Sequence, residues 1–213
     1  MGYVKEITAQ AKMDRRYLTG ICGEVNVRTP LGGRRVEMLH TGDMVVTRNN
    51  GLQPVRMIWT WTATAQEIND HPDLAPIRFR PRAIGPMMPQ RDLRIACGHR
   101  ILVPGYRIEG VEDNQNCLMR VDSFAAASDS AFADRSDTPI TFYNLVFDQH
   151  EIITAEGLPI ETFRPSPKAM DLLDLSSRET LKGLFPELAR RRCAYPSLPH
   201  PVAKSRAYRN DPL

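Results

Sequence analysis

The chain has 213 residues, 42% of them hydrophobic and 25% charged, and its 28 lysines and arginines exceed its 25 acidic residues by three. That balance suits a globular protein with one sizeable core. The basic excess gathers around Arg190, Arg191, Arg192, Lys204, Arg206 and Arg209, which reads as a solvated tail and excludes a nucleic-acid partner, whose face would want interleaved aromatics. No apolar run reaches the roughly 18 to 20 residues that span a bilayer, and the start, Met1 to Glu6, has no apolar signal segment. A soluble chain without membrane contact is expected, its compartment and oligomeric state left open.

In chain order, β-favouring runs alternate with turn signals. Val25–Arg28, Met44–Arg48 and Val55–Trp61 read as strands, joined through Pro30-Leu31-Gly32-Gly33 and Asn49-Asn50-Gly51. Asn50-Gly51 between apolar strands predicts a tight primed hairpin, because both central positions of that turn need positive φ. Arg35 to Asp43 reads as one short helical turn closed by Gly42. Ile77–Arg80, Arg94–Ala96 and Ile101–Val103 form a second block of short strands, separated by links such as Gly85-Pro86-Met87-Met88-Pro89.

The small-residue stretch Ser123 to Ser136 has no apolar period and predicts a loop. Ile140–Phe147, Glu151–Thr154 and Ile160–Phe163 complete the strands. Ser176 with Glu179 three residues on is a capping-box signature, and Leu181, Leu184, Phe185 and Leu188 recur at helical spacing, so a helix is expected near 177–188 with a kink or end at Pro186. Pro196, Pro199 and Pro201 predict an extended tail. The pattern is all-β with one late helix, which fits many barrels and sandwiches.

The four cysteines, Cys22, Cys97, Cys117 and Cys193, contain no Cys-x-x-Cys pair, so neither a zinc site nor a dense disulfide framework is expected, and no cofactor. Cys97-Gly98-His99 could set a thiol and an imidazole on one strand face. Two ligands do not make a metal site.

Three ordered blocks resemble the bacterial Hint family, the self-processing β module of hedgehog proteins and inteins: Val27 to Thr47 (VRTPLGGRRVEMLHTGDMVVT), Arg91 to Val103 (RDLRIACGHRILV) and Phe142 to Phe163 (FYNLVFDQHEIITAEGLPIETF). The Leu184-Phe185-Pro186-Glu187-Leu188 run is similar to the C-terminal extension of that branch. The resemblance implies a pseudo-symmetric horseshoe of short strands over 20–164, an N-terminal segment 1–19, and a helical extension and tail over 165–213.

It also implies a chemistry, an N-to-S acyl shift in which a thiol attacks the preceding carbonyl, an oxyanion is stabilised and the amide nitrogen is protonated. By this likeness Cys22 is the candidate nucleophile on the Ile21–Cys22 bond and His99 the proton donor, with Asp148 and His150 as helpers in the third block. The substrate would be the chain's own N-terminal flanking polypeptide.

Two departures matter. Counting back from Thr29-Pro30 puts the family's cysteine position on Gly20, two residues before Cys22, and Ala96 stands where the family often has Ser or Thr. No His-Asn pair lies near Phe163, so the implied outcome is cleavage without splicing. The alternatives are a catalytically degenerate Hint scaffold acting as a binding or structural module, and a small-molecule-binding β-domain of merely similar architecture.

Overall fold

The computed structural model describes residues 17–135, 137–190, 195–196, 200–204 and 207–209. Their strands form two antiparallel sheets, an all-β architecture as the sequence led us to expect. The N-terminal half supplies β1 (Ile21–Cys22), β2 (Asn26–Thr29), β3 (Gly32–Arg35), β4 (Met44–Thr47), β5 (Gly51–Pro54) and β6 (Met57–Ala63). Helix α1 (Ala65–Asp70) follows, then β7 (Ile77–Phe79), β8 (Leu93–Ile95), β9 (Arg100–Val103) and β10 (Cys117–Arg120). Next come α2 (Val121–Ala125), β11 (Ala131–Ala133), β12 (Ile140–Val146), β13 (Ile152–Ala155) and β14 (Leu158–Glu161). Three helices, α3 (Pro167–Leu172), α4 (Leu175–Leu184) and α5 (Glu187–Arg190), complete the order.

One sheet runs β11-β7-β8-β1-β12-β6 and the other β10-β9-β14-β13-β2-β3, with β4 joining β13 and carrying β5. Strand β6 shows why the first sheet closes on a core: Met57, Trp59, Trp61 and Ala63 alternate inward with half-exposed neighbours, the period-two pattern of a one-sided antiparallel strand. It pairs with β12 along its whole length, from Ile140 opposite Ala63 to Val146 opposite Met57. Trp61 stacks on Phe142 at 4.1 Å between ring centroids. The two-residue β1 is wedged between β12 and β8, so the segment entering it at Gly20 lies deep in the molecule.

Several local expectations are corrected. The Asn50-Gly51 hairpin is not a two-residue turn: Thr47 pairs with Gly51 across a three-residue loop, and Gly51, where the chain leaves it, takes φ +65. The expected loop over 123–136 holds the end of α2 and all of β11. Phe124 is fully buried against Phe79 at 5.1 Å, and the small residues around it let β11 pair with β7. Helix α1 went unread although Thr64 and Glu67 form a reciprocal capping box.

The capping box expected at Ser176 is replaced by Asp174, whose side chain accepts the Ser177 N–H, so α4 begins earlier, and it ends before Pro186. Cys97-Gly98-His99 is a turn between β8 and β9, not a strand. The tail is laid against the domain where Val202 bridges Leu118 and Tyr208 bridges Ile108. Among the described residues no helix is long and apolar enough to cross a membrane.

Candidate functional site

The buried start of β1 is where polar groups converge. The Thr19 carbonyl accepts the Trp61 Nε1–H at 2.7 Å and the Asn144 Nδ2–H at 3.0 Å. The Thr19 hydroxyl donates to Asn144 Oδ1 at 2.7 Å, which fixes the orientation of the amide. On the other side of the same peptide bond, the Gly20 N–H donates to His99 Nδ1 at 3.0 Å. The Gly20 carbonyl accepts the Ala96 N–H at 2.9 Å. Every polar atom of the Thr19–Gly20 bond is therefore held, its oxygen by two donors at distances suited to an oxyanion.

Local structure explains these placements. Trp61 and Asn144 sit on the fully paired strands β6 and β12. The His99 N–H bonds the Ala96 carbonyl and its carbonyl takes the Val121 N–H, so the turn after β8 presents the ring rigidly. His99 Nε2 lies 2.8 Å from the Glu161 carbonyl oxygen. A carbonyl only accepts, so this pattern assigns the proton to Nε2 and the lone pair to Nδ1. Burial lowers the His99 pKa, because the charged ring loses hydration; the negative charge of Glu161 opposes this without reversing it. The ring is a neutral acceptor toward Gly20.

Gly20 has φ +137, and a Cβ built there would lie 2.8 Å from Phe142 Cβ and 3.0 Å from Asn144 Nδ2. A side chain at this position meets a wall. Cys22, two residues on, is 1% exposed and belongs to the apolar core. Burial pushes its thiol well above the ordinary range, the negative Glu24 adds to this, and Arg94 only partly offsets it. Ile21 pairs with both Tyr143 and Ile95, so the Ile21–Cys22 segment lies inside the sheet ladder.

The other expected residues lie apart from this peptide. Asp148 and His150 do not share a strand face, since both precede β13. Asp148 is exposed and pairs with Arg56 at 3.2 Å. His150 is buried, with Nε2 3.4 Å from Glu161 Oε2 and 3.2 Å from the Thr162 carbonyl. Burial acts to raise the Glu161 carboxyl, yet the His150 bond and the Arg100 charge together hold it below the usual carboxylate value. Cys97 Sγ donates to the Asp73 carbonyl at 2.9 Å, and burial pushes its thiol up to about 11. Cys193 lies outside the described residues. No group of three or more metal-ligating side chains occurs among the described residues.

Of the residues gathered around this peptide, the sequence pointed to His99 but not to Trp61, Asn144 or Glu161. Trp61 was legible only as core. Asn144 carried a usable signal: it shares the period-two register of Phe142 and Val146 in an apolar strand, and a polar residue there must find buried partners.

The family model described as "Hint domain" matches residues 21–167. Among solved structures, the chain is similar to a bacterial intein-like domain from Clostridium thermocellum at 11% identity, covering 68% of this chain and 98% of that one with a TM-score of 0.43. It is also similar to the AceL NrdHF class 3 split intein in a splice-inactive form, at 14% identity, 67% and 96% coverage and a TM-score of 0.42. The gp41-1 intein gives 12% identity, 69% and 99% coverage and a TM-score of 0.38. No curated protein matches the sequence.

Proposed function

The chain belongs to the Hint domain family, and from that premise we propose that it is a catalytically silent member, a binding or structural module that grips its own N-terminal segment without an acyl shift at Ile21–Cys22. One observation carries the reading: His99 Nδ1 meets the amide of Gly20, not that of Cys22.

An acyl shift needs three things at one peptide bond: a nucleophile next to the carbonyl carbon, donors on the carbonyl oxygen and a proton for the departing nitrogen. The donors stand at Thr19–Gly20, where Trp61 and Asn144 hold the oxygen. The residue after that carbonyl is glycine, which brings no sulfur, and the space its side chain would need is filled by Phe142. The thiol two residues on, Cys22, is on the wrong bond and is held protonated by burial. Neutral His99, its proton on Nε2, has none to give the Gly20 nitrogen. Each defect alone slows the reaction, and together they remove both attack and departure.

Support for the rival, self-cleavage at Ile21–Cys22 with His99, His150 and Asp148 assisting, would require those groups at the Cys22 amide. They are instead at Gly20, at Glu161 and at Arg56 respectively. The test is to fuse a folded reporter ahead of Met1, incubate with dithiothreitol or hydroxylamine, and follow intact mass. The fusion is expected to stay whole, with Cys22→Ala indistinguishable from the parent. A fragment ending at Ile21 that disappears in Cys22→Ala would restore the cleavage mechanism, and one ending at Thr19 would equally end the silent reading.

A further inference from the structure

A cavity of about 200 Å³ opens beside Thr19, lined in part by Arg100, Arg120, Arg164, Glu161, Thr162 and Ser166. That is the space of about seven waters at roughly 30 Å³ each. We propose that it is a binding site for a small oxyanion, the carboxylate or phosphate group of a low-molecular-weight ligand, with Arg164 as its principal charge partner.

Charge is the first argument. Arg100 and Arg120 lie directly opposite each other in the β9–β10 pair, a juxtaposition of like charges that is destabilising unless counterions offset it. Glu161 takes Arg100 Nη1 at 3.2 Å and Asp122 takes the Arg120 guanidinium at 3.0 Å. Glu161 is already shared, since His150 Nε2 approaches the same Oε2 at 3.4 Å. Arg164 has no ion pair among the described residues, so the wall keeps a surplus positive charge.

Unused donors are the second argument. Arg100 Nε is buried and without a hydrogen-bond partner, which a native interior rarely tolerates without a water or ligand. The Ser166 and Thr162 hydroxyl oxygens accept the N–H groups of Ala169 and Glu151, and in each the O–H remains free to act as a donor. Guanidinium forks and hydroxyls around a small hollow match oxyanion geometry, and such charge-assisted bonds are short and strong. The carboxylate of Glu161 is engaged by Arg100 and His150 and forms no ion pair with Arg164 among the described residues.

The inference is independent of whether any peptide bond is cut. It is tested by titrating the intact protein calorimetrically with sodium phosphate and, separately, sodium citrate, at ionic strength fixed with sodium chloride. Saturable one-to-one binding of either anion is expected, and the arm that binds more tightly assigns the ligand as phosphate or carboxylate. Arg164→Gln should weaken it about tenfold or more, the usual effect of losing one charge-assisted pair. Arg28→Gln, an exposed position outside the cavity, should leave binding unchanged. Arg120→Gln is the second variant if Arg164→Gln melts early. No saturable heat with either anion, or equal binding by Arg164→Gln and the parent, would overturn the proposal.

Discussion

Replacing Gly20 with alanine tests the claim that the nucleophile position is sterically closed. Gly20 sits at φ +137, where a Cβ is strained, and that Cβ would lie 2.8 Å from Phe142 Cβ. The backbone strain costs about 1–3 kcal/mol, and forcing a methyl into a packed core about 1–3 kcal/mol more. A sum near 4 kcal/mol lowers the melting temperature by roughly 8–16 °C for a domain of this size. Gly32→Ala is the control: its φ is +103, but nothing lies within 4 Å of the added carbon, so it carries the backbone cost alone. Thermal unfolding of both variants by circular dichroism should place Gly20→Ala well below Gly32→Ala. Equal losses would show that the space is open and would remove the steric part of the case for silence.

Two further predictions concern titration. Because burial lowers the folded pKa of His99, the unfolded chain binds a proton that the native state refuses between that value and the ordinary one of about 6.5. Stability should therefore be full above pH 6.5 and fall on acidification below it, and His99→Gln should flatten that slope in urea melts. The carboxylate of Glu161, held below its ordinary value, loses its contribution only in more acid solution, so a decline absent between pH 6.5 and 5 would count against a buried neutral His99. With iodoacetamide at pH 8, half-buried Cys97 should label slowly and buried Cys22 only after denaturation, as followed by peptide mass mapping. Native labelling of Cys22 ahead of Cys97 would show an accessible thiolate.

Strand content was readable because burial on one face writes a period of two, as in Met57 to Ala63 and Ile140 to Val146. The segment around Phe124 was not, since its alanines and serines fit loop, helix or strand, and only the contact with Phe79 decides. Counting back from Thr29-Pro30 reached Gly20, the residue whose amide meets His99. The partners on the Thr19 oxygen could not be read the same way. Trp61 lies 42 residues from Thr19 and Asn144 lies 125 away, and only the pairing of β6 with β12 brings them together.

A residual His99 is weak evidence for catalysis, for a reason that applies to the whole cluster. Remove His99 and the Gly20 N–H and the Glu161 carbonyl lose their partners; remove Trp61 or Asn144 and the Thr19 carbonyl loses one of its donors. Each orphaned buried group costs about 1–3 kcal/mol, a large part of the stability of a domain. The nucleophile is different. With glycine at position 20 the neighbouring Asn144 amide is already paired with Thr19, so the absence of a side chain there leaves it satisfied. The scaffold's stability therefore depends on the groups that hold the peptide bond and not on a group that would break it, so a Hint domain can keep a fully hydrogen-bonded Thr19–Gly20 bond whether or not a nucleophile stands beside it.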